Sequence, residues 1–151
     1  MSQKYVSLEA MMPVIQEALS SGNTVQFSPR GISMEPMLRQ GRDSVTLSPI
    51  TGPLRKYDIP LYQRSDGAYI LHRVVKTGAE YTCIGDNQFA LEKGVKTEQM
   101  IGVVTGFTRK GKFCSVTDTG YQIYCRFWHY TRFIRRIFRF LRTRLNKLIK
   151  R

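Results

Sequence analysis

Tyr69-Ile70-Leu71-His72-Arg73-Val74-Val75 reads as a β-strand, because β-branched, aromatic and aliphatic residues dominate and no glycine or proline interrupts them. On strand alternation Ile70, His72 and Val74 share one face, and Leu71, Arg73 and Val75 the other. Outward from it, similar short runs recur at Ser44 to Leu47, Ile59 to Gln63, Glu80 to Ile84, Met100 to Phe107 and Phe113 to Val116, parted by Gly, Pro and Asp turns. Asp66-Gly67 and Lys110-Gly111 each sit between two runs and read as hairpin turns. Residues 23–118 are therefore expected to form a mainly β domain, an antiparallel barrel or folded sheet.

The flanks have a different period. Ser7 suits an N-cap, Leu8, Met11, Met12, Ile15 and Leu19 recur at helical spacing, and Gly22 suits the stop, so a helix is expected over about 7–21 of an N-terminal segment 1–22. Pro13 inside it predicts a bend. Beyond Gly120, within 119–151, Phe127, Ile134, Phe138, Leu141, Leu145 and Leu148 stack on one helical face while arginines take the other. This is a basic amphipathic helix starting somewhere between 121 and 131.

At 151 residues, 42% hydrophobic and 23% charged, the chain suits one globular domain with its extensions and excludes disorder, collagen and solenoid readings. No run approaches the roughly 18 apolar residues of a spanning helix, and Met1 to Tyr5 does not open a secretory signal. Cys83, Cys114 and Cys125 form an odd set without a C-x-x-C pair, so neither a disulfide framework nor a metal site is expected. A reducing location follows, cytoplasmic or peripheral at the cytoplasmic membrane. The net charge of +13 is concentrated at one end: residues 121–151 hold ten Lys/Arg and no acid, against 14 Lys/Arg and all 11 acidic residues before them.

Three local patterns can carry chemistry. Gly31-Ile32-Ser33-Met34-Glu35-Pro36-Met37-Leu38 places a serine between glycine and proline just after the Val25-Gln26-Phe27 strand, a turn able to present a nucleophile to a base and a backbone N–H to an oxyanion. Taken alone it is also an ordinary Gly/Pro loop. His72, on an apolar strand, is either a packing histidine or a general base. Gly85-Asp86-Asn87, closing Tyr81 to Ile84, with Glu92 six residues beyond Asp86, supplies a carboxylate to orient an imidazole, or simply a turn. His129, within the cationic aromatic segment, reads as helix surface or aromatic packing.

In this order the patterns resemble the successive boxes of type I signal peptidases: Gly31-x-Ser33-Met34-x-Pro36-x-Leu38, Gly41-Arg42-Asp43, Asp58-Ile59, His72-Arg73-Val74, Gly85-Asp86-Asn87 and Ile101-Gly102-Val103-Val104, over about 31–107. Within that family the chain is similar to the endoplasmic-reticulum, archaeal and sporulating-bacterium branch, where histidine replaces the lysine base. The resemblance implies a signal-peptidase/LexA-like β core and serine endopeptidase cleavage after small residues at the first and third positions before the bond. It makes Ser33 the nucleophile and His72 the base. Asp86 is the first choice of acid, with Glu92 as its rival, and Met34 and Pro36 are expected to contact substrate. No cofactor is implied.

The chain also departs from the family pattern. Gly41-Arg42-Asp43 is one residue longer than the usual Gly-Asp, and Tyr57 stands where the family has glycine before Asp58. Gly31 replaces a hydroxyl found in some bacterial members, so the oxyanion must be held by backbone around Gly31 and Ser33, chiefly the Ser33 N–H. The usual spanning helix before the serine box has only the polar 7–21 segment as counterpart. Attachment to an anionic membrane surface would then fall to 121–151, with about 1 kcal/mol per basic residue. In the other reading of this segment, Phe127, Trp128, Ile134 and Phe138 pack on the β domain and the arginines are merely solvated. Two rivals for the whole chain remain. One is a LexA-like self-cleaving regulator, which uses lysine at the place of His72 and a helix-turn-helix for which 1–24 is too short. The other is a non-catalytic protein whose basic helix contacts membrane or, less readily, nucleic acid.

Overall fold

The computed structural model describes residues 7–149, with side chains through Asn146. Residues 1–6 and 150–151, and the side chains of 147–149, lie outside the described set, so the readings of Met1 to Tyr5, Lys147, Leu148, Lys150 and Arg151 fall there. Helix α1 (Leu8–Ser20) begins where Ser7 Oγ accepts from the Ala10 amide at 3.2 Å, and the chain leaves it through Gly22 at φ 78°. Its buried face, Met12, Ile15 and Leu19, closes one side of the main core.

Strand β8 (Met100–Arg109) is the spine of the larger, antiparallel sheet. One edge pairs with β2 (Ser44–Ser48), which carries β1 (Val25–Phe27). Along the other edge, its first half pairs with β3 (Pro60–Gln63), which carries β4 (Tyr69–Leu71), and its second half with β9 (Lys112–Ser115). The expected hairpins are present: Arg64 to Ala68 closes around Gly67 at φ 88°, and Lys110-Gly111 turns with φ 51° and 77°. A second antiparallel sheet holds β5 (Arg73–Lys76), β6 (Tyr81–Ile84) and β7 (Glu92–Val95). The chain as a whole is mixed, at 31% helix and 29% strand, so the β description belongs to its central part.

The strand expected over 69–75 is two strands. Leu71 ends in the first sheet, Arg73 begins in the second, and His72 is the residue between them. Alternation consequently fails, since Leu71, His72, Arg73 and Val74 are all buried. A chain passing from one sheet to the other has protein on both sides, so period two no longer separates core from water. β7 was not expected, because Lys93 and Gly94 (φ 77°) give it no alternating apolar pattern.

The C-terminal segment is also two elements, α2 (Thr119–Tyr130) and α3 (Arg132–Ile149), divided at Thr131, where the Trp128 carbonyl accepts from Arg135 Nη2. Tyr121 and Cys125 of α2 belong to the main core. Of the four side chains expected to pack together on the β domain, only Trp128 does so; Phe127, Ile134 and Phe138 are exposed. No helix among the described residues is long and apolar enough to cross a membrane.

One buried ion pair fastens α2 to the second sheet and to the 57–58 segment. Arg73, 2% exposed, donates through Nε and Nη2 to the two oxygens of Asp86 at 2.8 Å each. Nη1 reaches Tyr121 Oη at 2.8 Å, Cys125 Sγ at 2.9 Å and the Tyr57 carbonyl at 3.2 Å, and Tyr124 Oη donates to Asp86 Oδ2 at 3.0 Å. Tyr57, where the family pattern has glycine, sits at φ 81° with its ring edge-on to His129 of α2. Removing one partner of such a pair leaves a buried charge alone. Arg73→Met should therefore lower unfolding free energy by about 3–5 kcal/mol in a denaturant titration, and Arg73→Met with Asp86→Leu should recover much of it. A single variant within about 1 kcal/mol of the parent would show that the pair does not hold these elements.

Candidate active site

The serine loop follows β1 and is shaped by one glycine and three apolar plugs. Gly31 has φ 88°, which side-chain-bearing residues rarely adopt, and its amide donates to Gln40 Oε1 at 2.7 Å. Met34, Met37 and Leu38 then enter the main core, each at most 4% exposed, leaving Ile32 and Ser33 on the outer side. The far end is tied by Asp43, which accepts from the Arg39 amide at 2.8 Å and from both Nε and Nη2 of Arg42 at 2.7 Å. Burial alone would raise the Asp43 pKa, but these donors bring it down to about 2.

Ser33 is positioned from across the domain by the turn after β6. The Asn87 amide donates to the Ser33 carbonyl at 2.8 Å, and Asn87 Nδ2 donates to the Ile32 carbonyl at 3.1 Å. Gly85 is the point of closest approach. A Cβ placed there would stand 2.6 Å from the Ser33 carbonyl oxygen, 3.1 Å from Ser33 Cβ and 3.1 Å from His72 Nε2. Serine and imidazole thus border the same small space, open only because residue 85 has no side chain. No Ser33–His72 hydrogen bond is formed among the described residues, and the Ser33 amide donates to none of them, which leaves it available to an oxyanion.

Behind the imidazole stands Glu92, not Asp86. His72 Nδ1 lies 3.6 Å from Glu92 Oε2 and 3.5 Å from Tyr62 Oη, while Tyr62 Oη donates to Glu92 Oε2 at 2.7 Å. Arg64 grips Glu92 through Nε and Nη2 at 2.6 Å each. Asp86 has both oxygens committed to Arg73, so the first-choice acid of the sequence reading holds the fold instead. Burial pushes the His72 pKa below its usual 6.5, only partly opposed by the Glu92 charge. Glu92 itself titrates below the ordinary carboxylate range: desolvation works against ionisation, and the Arg64 and Tyr62 hydrogen bonds outweigh it. Tyr62, buried and hydrogen-bonded to a carboxylate, is raised well above an ordinary phenol.

Ser33 and His72 line a cavity of about 330 Å3 whose other walls include Met11, Phe27, Met34, Leu38 and Ile70. Met34 therefore reaches both core and cavity, whereas Pro36 is half-buried and does not line it. Sequence reading missed Tyr62 and Arg64. Their signal was position i and i+2 running off one strand, which places both on one face beside whatever that face meets. Among the described residues no group of three or more His, Cys, Asp or Glu side chains is arranged to hold a metal ion.

Comparison of the chain with family models, characterised proteins and solved structures returns no match.

The arrangement makes a prediction independent of any reaction. In an NMR titration His72 should deprotonate with a midpoint below 6.5, and Glu92→Gln should lower that midpoint further by removing the charge that favours imidazolium. An unchanged midpoint in Glu92→Gln would mean that Glu92 does not act on His72.

Proposed function

We propose that this protein is a serine endopeptidase with a catalytic core of the signal-peptidase type, using Ser33, His72 and Glu92. The observation that carries the reading is the meeting of Ser33 and His72 Nε2 at Gly85, with the Glu92 carboxylate on the Nδ1 side of the same ring. The tie from Asn87 to the Ser33 carbonyl supports it, since a nucleophile needs a fixed backbone.

In this mechanism Ser33 Oγ attacks the peptide carbonyl as its proton passes to His72 Nε2. The oxyanion forms against the Ser33 amide, and collapse breaks the C–N bond as His72 returns the proton to the leaving amine. Water then adds to the ester with His72 again as base, freeing the acid and regenerating Ser33. Glu92 stabilises the transient imidazolium, and Arg64 and Tyr62 position Glu92. Burial of His72 suits this role, because a depressed pKa keeps the imidazole neutral, and so basic, at lower pH. The substrate class is an extended leader or signal-type peptide with small residues before the bond, taken from the family resemblance. The apolar walls of the cavity beside Ser33, among them Met34, Leu38 and Ile70, suit such side chains.

A serine-directed phosphonate probe should label Ser33, and Ser33→Ala should block labelling. With a peptide substrate, Ser33→Ala and His72→Ala should each lower kcat by about 10^4-fold or more, and Glu92→Gln by about 100-fold or more. Gly85→Ala should lose about 100-fold while remaining folded, because its new methyl displaces the serine from the imidazole. The acid limb of kcat/KM should have its midpoint below 6.5, in the direction of the His72 shift. Cleavage by Ser33→Ala at the parent rate would end this reading.

A further inference from the structure

Helix α2 is anchored by Tyr121 and Cys125, but α3 is docked by its charged side, and both helices turn apolar residues outward. Ile123 and Phe127 of α2, and Ile134, Phe138, Leu141 and Leu145 of α3, are between 49% and 69% exposed. At about 100° per residue, the four from α3 fall within about 40° of a common direction, a continuous stripe facing no protein. Arg135 and Arg139 lie about 100° to 140° away and grip the turn beside the candidate site. Arg135 stacks over Trp128 at 3.5 Å and donates to the Asp86 carbonyl at 3.3 Å. Arg139 donates to Asn87 Oδ1 at 2.7 Å and lies over the Phe89 ring at 4.6 Å.

A helix that stabilises a domain normally buries its apolar stripe, so this orientation points to an occupant outside the chain. Charge selects among the occupants. Residues 119–149 contain no acidic side chain, and exposed Arg142 and Arg144 stand about 80° to either side of the stripe. A second copy would set one cationic helix against another. Nucleic acid would leave the stripe in water, while two of the arginines it would need already hold Asp86 and Asn87. An apolar face with Arg142 on one side, and Arg144 set among exposed Phe133, Ile137 and Phe140 on the other, matches an anionic lipid surface, whose acyl boundary takes the apolar residues and whose headgroups take the snorkelling guanidinium groups.

We infer that α2 and α3 form an in-plane docking element for an anionic bilayer surface, with Ile134, Phe138 and Leu141 inserted and Arg142 and Arg144 at the headgroups. Asn87 bonds Arg139 through its side chain and the Ser33 carbonyl through its amide. Docking therefore seats the serine loop beside the lipid. The inference does not rest on the peptidase reading, since lipid binding is measured whether or not Ser33 reacts.

The test is flotation of the full chain with vesicles of phosphatidylcholine alone or mixed with phosphatidylglycerol, across a salt series. The protein should float with the mixed vesicles, remain unbound with neutral ones, and release as salt rises. Ile134→Ser/Phe138→Ser/Leu141→Ser, which keeps every charge, and Arg142→Gln/Arg144→Gln, which keeps the stripe, should each weaken partitioning at least about tenfold. An unchanged circular dichroism spectrum and melting curve would show that the variants still fold. Flotation of the triple-serine variant equal to the parent would overturn the inference, as would failure of the parent to float. Self-association or DNA binding that the triple-serine substitution abolishes, without lipid binding in the parent, would assign the stripe to those partners and overturn it too.

Discussion

The buried pair of Arg73 and Asp86 is the constraint on which the rest depends. A guanidinium shielded from water needs several acceptors, and Arg73 finds them on the serine loop, the turn after β6, the 57–58 segment and α2. Satisfying it pulls these elements together. Once Asp86 is held, Gly85 and Asn87 on either side have little freedom, and they are the two residues that meet Ser33. Stability and site geometry are thus one arrangement, in which an error in the first moves the second.

The same economy sorts the two carboxylates. Both Asp86 and Glu92 are bound by arginine, yet their surroundings differ. Asp86 is sealed in the interior with both oxygens used, while Glu92 lies at the edge of the second sheet, where Oε2 also faces Tyr62 and the imidazole. Arg64 holds the Glu92 pKa down and burial holds the His72 pKa down, so a charged acceptor stands behind an imidazole that favours its neutral form. That is the polarisation on which the proposed proton transfer from Ser33 relies.

The tail reverses the usual relation between patterning and burial. Its helical period was legible in the sequence, but period alone says which residues share a face and not which face meets the protein. Here arginine stacking on Trp128 and Phe89, with backbone carbonyls of the 86–87 turn as acceptors, fixes the charged face inward. At the break at Thr131 the Trp128 carbonyl likewise accepts from Arg135, a contact that no propensity encodes.

Local chemistry alone determined α1 with its Ser7 cap, the two hairpin turns, the strands built of alternating or continuous apolar residues, and the candidacy of Ser33 and His72. These follow from neighbours in the chain, where spacing and residue type suffice. Tertiary structure alone decided that the 69–75 run divides at His72, that charged, glycine-bearing Glu92 to Val95 becomes a strand, and that Glu92 rather than Asp86 stands behind the imidazole. Each of those outcomes is a choice between partners distant in sequence. Buried Arg73 takes Asp86 and half-exposed Arg64 takes Glu92, and which carboxylate each guanidinium reaches depends on the packed tertiary structure.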